Sequence, residues 1–208
     1  QPKTERLTKL ADLYPERITE LSEIFSKPTN IYLDYANILK WSEKLNWHVE
    51  PKRLKQFFDS FSTIKTVRLY SGTLSGNQNS QQFIKEVQNL NYVVTTKPVK
   101  RMRLTINVSG IPTNSPVVLE NFIKKALLRK FTLETIEFLN GKLQELNNQG
   151  ITSIEHWKCN FDVEIGRDML LDYEKNQINT FILWSGDSDF ADPISQLMKD
   201  KKSVYLFA

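Results

Sequence analysis

Short apolar runs alternate with amphipathic helical patterns along most of the chain, and this alternation limits the fold more than any other feature. The runs with the length of a buried strand are residues 31–33, 66–70, 92–95, 180–184 and 203–207. Between them, apolar residues return at helical spacing, most clearly at Leu54, Phe57, Phe58 and Phe61. Strands that alternate with helices predict a parallel sheet with helices on both faces. We therefore predict an α/β protein with a doubly wound, mainly parallel sheet of about five strands.

The segments between these runs supply the other predicted elements. We predict helices over residues 16–26, 83–90, 161–173 and 190–198, and an antiparallel edge pair within residues 97–110. Residues 117–148 have a charged, helical pattern with a break near Gly141. The predicted organisation is an N-terminal helical extension over residues 1–30 and a main domain over residues 31–208. The main domain contains a mostly helical insertion at about residues 107–150.

Composition limits the classes of protein to consider. Of the 208 residues, 40% are hydrophobic, which is enough for a substantial core. No apolar run approaches the roughly 20 residues that cross a bilayer, and the first residues lack the apolar core of a secretory signal. The single cysteine, Cys159, forms no internal disulfide, and two histidines do not suffice for an ordinary zinc site. We expect a cytoplasmic protein without a membrane segment.

The net charge of +4 fits either a soluble surface or attraction to a polyanion. One basic group lies between two β-like runs and consists of Lys97, Lys100, Arg101 and Arg103. A second, in the predicted insertion, consists of Lys124, Lys125, Arg129 and Lys130. The acidic motifs lie elsewhere in the sequence. An acidic pocket on a basic body is the charge pattern that a metal-dependent nuclease needs.

Aspartates follow two of the predicted strands. Asp34 ends the first strand, and Asp187 and Asp189 come directly after the fourth. Ligands bind at the carboxyl ends of strands in an open parallel sheet, so these acids meet if the two strands are neighbours. Asp162, near a predicted helix start, would approach from the rim. Close carboxylates repel each other, so a site that gathers them usually holds a hard cation such as Mg²⁺ or Mn²⁺, and such ions assist phosphodiester cleavage.

Three motifs resemble those of NYN domains in the PIN-like nuclease superfamily, and the match is closest to the LabA-like branch. The first is Asp34-Tyr35-Ala36-Asn37, which is similar to an aspartate-glycine-alanine-asparagine motif. The second runs from Lys158 to Asp168, and the third is Ser185-Gly186-Asp187-Ser188-Asp189-Phe190. The resemblance covers residues 31–207 apart from the predicted insertion. Tyr35 departs from the family pattern because it stands in place of the glycine.

The resemblance implies a PIN-like fold and cleavage of RNA with Mg²⁺ or Mn²⁺. Carried over residue by residue, it implies catalytic positions at Asp34, Asn37, Asp162, Asp187 and Asp189. The four aspartates would be metal ligands, Asp168 would be a further acidic position, and Asn37 would occupy the amide position. An uncharged amide there would orient either a carboxylate or a metal-bound water. The basic residues expected to bind RNA are Lys97, Lys100, Arg101, Arg103 and Lys158.

Several of these acids also have a structural interpretation. Asp34 can cap the helix that follows it, and one of Asp187 or Asp189 can cap the next. Asp168 lies six positions after Asp162, or about 240° around a helix. Both therefore reach one site only if Asp162 lies at or before the helix start.

The remaining side chains near the motifs leave similar alternatives. We expect Glu164 to face solvent, and Lys158 either contacts phosphate or is an ordinary surface lysine. Tyr35, Trp41 and Trp47 either stack on bases or, more commonly, pack against the sheet.

An endoribonuclease is the leading function, and three others compete with it. A catalytically inactive NYN-fold module would bind RNA or protein, and the helical insertion is where a second copy or a protein partner would bind. A DNA-directed nuclease of the same superfamily is less favoured, because neither a helical arch nor a helix-hairpin-helix motif is evident. A haloacid-dehalogenase-like phosphatase is rejected, because Ala36 stands where that class needs a second aspartate.

Overall fold

The computed structural model describes residues 5–46 and 48–207, so the predicted role of Trp47 lies outside the described residues. Its helices are α1 (Glu5–Leu13), α2 (Pro15–Ile24), α3 (Tyr35–Leu45), α4 (Pro51–Phe58), α5 (Gln78–Asn89), α6 (Lys125–Leu128), α7 (Leu133–Asn148), α8 (Asp162–Asn176) and α9 (Ala191–Lys199). Its strands are β1 (Thr29–Asp34), β2 (Ile64–Thr73), β3 (Val93–Pro98), β4 (Lys100–Thr105), β5 (Ser153–Lys158), β6 (Thr180–Trp184) and β7 (Ser203–Phe207). Short 3₁₀ turns lie at Leu119–Asn121 and Ser188–Phe190. In this part of the chain, no helix combines the length and the hydropathy that a membrane span requires.

A parallel sheet with the strand order β3–β2–β1–β6–β7 forms the centre of the fold. β1 pairs with β2 on one side and with β6 on the other, and Leu33 lies opposite Leu69 and Trp184. The predicted parallel sheet of about five strands is confirmed. The structure also confirms that the strands ending at Asp34 and Trp184 are neighbours.

Helices cover both faces of this sheet. Alternate side chains of a strand point to opposite faces. Ile31 and Leu33 of β1 pack with apolar residues of α1 to α5 on one face. Tyr32, between them, packs on the other face with Ile165 of α8 and Leu197 of α9. Both faces of the sheet centre are therefore buried, and the doubly wound arrangement is confirmed.

Two aspartates begin the chain reversals at the carboxyl ends of β1 and β6. Asp34 caps α3, since its side chain accepts a hydrogen bond from the backbone N–H of Asn37 at 3.4 Å. Asp187 accepts one from the backbone N–H of Asp189 at 3.2 Å and so caps the 3₁₀ turn before α9. The predicted cap is therefore confirmed for Asp34. Asp187 caps only the 3₁₀ turn, since α9 itself begins after Phe190 without a side-chain cap. Each cap uses one carboxylate oxygen.

Val99–Lys158 form a second compact unit, separate from the main unit of Gln1–Pro98 and Cys159–Ala208. In the second unit, β4 and β5 make an antiparallel ribbon. A small apolar core there contains Leu119, Leu128 and Ile136. The predicted insertion at about residues 107–150 lies within the second unit, and its exact bounds stay a prediction.

Two predictions for the second unit are wrong. The predicted edge pair within residues 97–110 does not form, because β4 pairs with β5 and neither strand joins the five-stranded sheet. The predicted break near Gly141 is absent, because α7 continues through this residue. A single glycine lowers helix stability by only about 1 kcal/mol relative to alanine, which the rest of a helix of this length can offset.

Candidate metal centre

The candidate site lies where β1 and β6 end side by side at the centre of the sheet. Asp34 is the last residue of β1, and Asp187 and Asp189 follow β6. Asp162 is the first residue of α8. β2 lies on one side of the β1–β6 pair and β7 on the other, so the strand order reverses at this point. Such a switch point is where open α/β sheets bind ligands.

The structure brings Asp162, Asp187 and Asp189 together, and we call these three residues the acidic cluster. One carboxylate oxygen of each lies within 4.8 Å of the other two. Oxygen ligands lie about 2.0–2.6 Å from Mg²⁺ or Ca²⁺, so opposite ligands of one ion are roughly 4–5 Å apart. The hard oxygen donors and their spacing therefore fit a divalent cation such as Mg²⁺ or Mn²⁺.

Asp34 is held beside the acidic cluster by two polar neighbours. The Asn37 side-chain amide donates to Asp34 Oδ2 at 2.5 Å and to Ser185 Oγ at 2.9 Å. The Ser185 hydroxyl donates to Asp34 Oδ2 at 3.3 Å and accepts from the backbone N–H of Asp187 at 3.3 Å. Asn37 therefore orients a carboxylate, and Ser185 joins the ends of β1 and β6. Ser185 lies within the third motif, but its sequence position alone predicted no role for it.

Within the acidic cluster, the ionised form of Asp162 is disfavoured. Partial burial raises the pKa of Asp162, and the negative charges of Asp187, Asp189 and Asp34 raise this pKa further. A hydrogen bond from Asn160 opposes these effects without cancelling them. Burial and the neighbouring negative charges both disfavour the ionised form of Asp162. A bound cation would favour the ionised form again.

Asp168 lies among other partners and is not in the acidic cluster. Its carboxylate accepts a hydrogen bond from the Tyr70 hydroxyl at 2.9 Å. It also accepts from Nε and Nη2 of Arg167 at 3.0 and 2.7 Å. These hydrogen bonds hold the Asp168 carboxylate between α8 and β2. The structure does not bring Asp168 together with the acidic cluster.

A second group of polar side chains, which the sequence analysis missed, lies under α8. We call Asn30, Tyr32, Arg68 and Asp172 the buried network. Asp172 accepts hydrogen bonds from Asn30 at 2.8 Å, from Tyr32 at 2.7 Å, and from Nε and Nη2 of Arg68 at 2.9 and 2.7 Å. Burial by itself raises the pKa of Asp172, but its hydrogen bonds and the Arg68 charge outweigh burial and lower the pKa overall. An arginine inside a predicted buried strand was the available signal, because such a charge needs a partner.

Lys97 lies in the main unit and is already engaged. Its ammonium is 2.9 Å from both carboxylate oxygens of Glu164 and lies 4.7 Å from the centre of the Phe161 ring. The prediction that Glu164 faces solvent is therefore wrong, because this lysine pairs with it. RNA binding by Lys97 stays a prediction.

The other predicted RNA-binding residues all lie on the ribbon of the second unit. Lys100, Arg101 and Arg103 are exposed on β4, and Lys158 is exposed on β5. Arg101 Nε lies 3.3 Å from a carboxylate oxygen of Glu155.

The aromatic side chains near Asp34 pack inside the main unit. Tyr35 stacks on Phe83 with ring centres 4.6 Å apart. Trp41 lies 5.7 Å from Trp184, measured between ring centres. These contacts favour packing over base stacking for both residues.

The fold and the site together define a PIN-like α/β protein with a cluster of aspartates at the carboxyl edge of its sheet. The NYN domain family model matches residues 133–208, a range that includes the whole acidic cluster, and this match supports the NYN family for the chain. NYN domains are typically nucleases that act on RNA, so the match supports a hydrolase role in general.

A solved structure agrees with this fold. The crystal structure of a protein of unknown function from Vibrio parahaemolyticus is similar, with a TM-score of 0.51 and 15% sequence identity. The similarity covers 86% of this chain and 78% of that chain, and at this identity it concerns the fold alone. No curated protein matches the chain significantly.

Proposed function

We propose that this protein is a cytoplasmic, Mg²⁺- or Mn²⁺-dependent endoribonuclease of the LabA-like branch of NYN domains. One observation carries the proposal. The acidic cluster gathers three carboxylates from two distant parts of the sequence at the switch point of the sheet. The neighbouring carboxylates raise the pKa of Asp162, and a bound cation would compensate their negative charge. The NYN family match over these residues supports a nuclease rather than an unrelated metal site.

The roles of the residues follow from their contacts. Asp162, Asp187 and Asp189 would hold the cation, and Asp34 would supply a fourth carboxylate whose orientation Asn37 fixes. Once bound, a divalent ion activates water and stabilises the charge that develops on the phosphate during cleavage. Asp168 was a further candidate ligand. Its hydrogen bonds to Tyr70 and Arg167 favour a supporting role instead.

Positive charge is needed to bring RNA to a carboxylate-lined site, because phosphates and carboxylates repel each other. We assign this role to Lys97, Lys100, Arg101, Arg103 and Lys158, acting on the RNA backbone without base specificity. Lys97 would exchange its Glu164 contact for a phosphate. The exposed ribbon residues are more readily available.

Asp187→Asn tests the metal role, because an amide keeps the shape of the side chain but removes its charge. We expect single-turnover cleavage of a labelled RNA with Mn²⁺ to fall by roughly 100-fold or more, because metal stabilisation of the transition state is worth several kcal/mol. Mn²⁺ binding, measured by calorimetry, should weaken in parallel, while circular dichroism stays unchanged. The matched control is Asp192→Asn, an exposed aspartate on α9 outside the acidic cluster, which should cleave as the wild type does.

Cleavage and binding by the wild type and by Asp187→Asn distinguish the competing functions. Wild-type cleavage by Asp187→Asn would contradict the proposed catalytic site. Absence of cleavage in both proteins, with RNA binding intact, would instead assign the chain to the inactive RNA-binding modules. Preference for a DNA substrate would favour a DNA-directed nuclease.

A further inference from the structure

The ribbon of the second unit exposes an aromatic side chain that the proposed catalytic site does not use. Trp157 of β5 is 53% exposed, although burying a tryptophan side chain normally stabilises a fold. Nearly every residue of β4 and β5 is exposed. Among residues 5–46 and 48–207, the structure records neither a ring-stacking nor a cation–π contact for Trp157. The indole ring is therefore available to a ligand.

The register of the ribbon places two arginines around this tryptophan. Residues directly opposite each other in an antiparallel pair lie on the same face, and their diagonal neighbours share that face. Arg101 lies opposite Trp157, and Arg103 lies opposite Glu155. Trp157 therefore has one arginine directly across the ribbon and a second on the diagonal. Glu155 holds Arg101 through the 3.3 Å contact, which leaves the guanidinium only partly free.

The charge of the ribbon favours a polyanion as its ligand. With four cations and one anion, the two strands carry 4 − 1 = +3 with His156 neutral. On the Trp157 face, Arg101 and Arg103 stand against Glu155, while Lys100 and Lys158 alternate to the other face of the ribbon. Lys100 and Lys158 lie directly opposite each other. A second copy of the same positive ribbon would be repelled.

We infer that the Trp157 face of the ribbon binds single-stranded RNA, with a base stacked on the indole ring and the phosphates on either side contacted by Arg101 and Arg103. An aromatic platform between cations is how proteins bind single strands with little sequence preference. A duplex fits this face poorly, because its bases are already stacked on each other. The inference rests on the proposed function for its choice of RNA, and it adds the strand class and a binding residue outside the acidic cluster.

Trp157→Ala in the full chain tests the inference. The probe is a labelled oligouridylate of about 12 nucleotides, titrated by fluorescence anisotropy in a chelator so that metal-dependent cleavage does not occur. We expect binding to weaken by about 5- to 150-fold, the range for loss of one base–aromatic stack. Phe138→Ala is the matched control, because Phe138 is 63% exposed on α7 of the same unit, and it should bind as the wild type does.

Further variants separate stacking from a change in the fold. Trp157→Phe keeps an aromatic face and should retain most of the binding, while the oligouridylate-dependent quenching of tryptophan fluorescence disappears. Glu155→Gln frees Arg101 and removes a negative charge, so it should tighten binding several-fold. Arg101→Ala should lower the slope of log affinity against log salt by roughly 0.7. A purely structural role for these residues predicts neither the tightening nor the change in slope.

The outcomes distinguish this inference from the proposed nuclease. Oligouridylate binding that Trp157→Ala leaves unchanged would overturn the inference, even if the protein cleaves RNA. Binding that depends on Trp157 would support it, even if Asp187→Asn showed that the protein is not a nuclease. Preferential binding of a duplex of equal length would overturn it. So would a concentration-dependent dimer lost in Trp157→Ala, which would assign this face to a second copy.

Discussion

Helix α8 carries aspartates in two opposite electrostatic environments. At its first residue, Asp162 faces the other carboxylates of the acidic cluster, and its pKa is raised. Ten positions later, Asp172 accepts hydrogen bonds from an arginine, a tyrosine and an asparagine, and its pKa is lowered. The buried network satisfies its charge internally and so contributes to the fold. Among the residues that the structure describes, the acidic cluster has no such internal partner for Asp162, whose raised pKa a bound cation would lower.

Loss of Asp172 should have the largest effect on stability. Asp172→Ala removes the bidentate partner of Arg68 and the acceptor of the Tyr32 hydroxyl, so we expect the free energy of unfolding to fall by about 3–5 kcal/mol. Urea denaturation in a chelator measures it. Glu174→Ala, an exposed position on the same helix, should change stability by about 0.5 kcal/mol or less.

Loss of an acidic-cluster residue should have a much smaller effect on stability than loss of Asp172. Asp187→Ala in the same chelator should leave the free energy of unfolding within about 0.5 kcal/mol of the wild-type value, because it removes repulsion together with a cap. If Asp187→Ala were as costly as Asp172→Ala, the distinction between a structural and a cation-binding group of acids would be wrong.

Added metal should give the next largest effect. At 100 times its dissociation constant, Mn²⁺ should stabilise the native state by about 2.7 kcal/mol, because it binds the assembled acidic cluster and not the unfolded chain. Thermal or urea unfolding with and without Mn²⁺ measures this gain. The gain should disappear in Asp187→Asn and persist in Asp172→Asn, although the latter starts from a less stable fold. An equal gain in Asp187→Asn would place the bound metal elsewhere.

Acid should act on the two groups in opposite directions, with the smallest effect. Asp162 has a raised folded pKa, so the folded state binds its proton first, and this residue's contribution to stability improves as the pH falls toward the unfolded value of about 3.9. Asp172 has a lowered folded pKa, so its contribution is present above about 3.9 and is lost as the pH falls further, through the folded pKa.

The difference in the free energy of unfolding between a variant and the wild type isolates the effect of one aspartate from the titration of the other acids. In a chelator, Asp162→Asn minus wild type should show a stability gain at neutral pH that shrinks on acidification. The penalty of Asp172→Asn should stay constant until the pH approaches 4 and then decrease. If the Asp162→Asn and Asp172→Asn differences changed with pH in the same way, the proposed contrast between the two aspartates would be wrong.

The central strands of the main sheet were predictable because their middle residues are buried on both faces, which gives short apolar runs such as Ile31-Tyr32-Leu33 and Phe181-Ile182-Leu183. β6 was predicted with its observed bounds, Thr180–Trp184. β5 was not predicted, because Ile154 and Trp157 are three positions apart and the strand is exposed, so no alternating pattern marks it. The partner of β4 lies about 50 residues away and could not be inferred from local pattern.

The site was predictable as far as its residues lie at strand ends. Asp162, Asp187 and Asp189 were grouped from the sequence, and the structure brings them together. The Lys97–Glu164 pair was not foreseen, because it joins positions 67 residues apart. A long-range ion pair depends on how the fold brings α8 and β3 together, which helical and strand periodicity does not encode.

The contact between Asn37 and Ser185 joins positions 148 residues apart in the chain, and this separation has a consequence for folding kinetics. β1 can pair with β2 early, but its pairing with β6 requires closure of a loop that contains the whole second unit. Contacts across such separations form slowly. If the β1–β6 pairing forms after the transition state, a cation bound to the acidic cluster will leave the refolding rate unchanged and slow unfolding by the full factor of its binding. At low metal concentration, the rate at which the folded protein unfolds would then depend on how often the β1–β6 pairing opens.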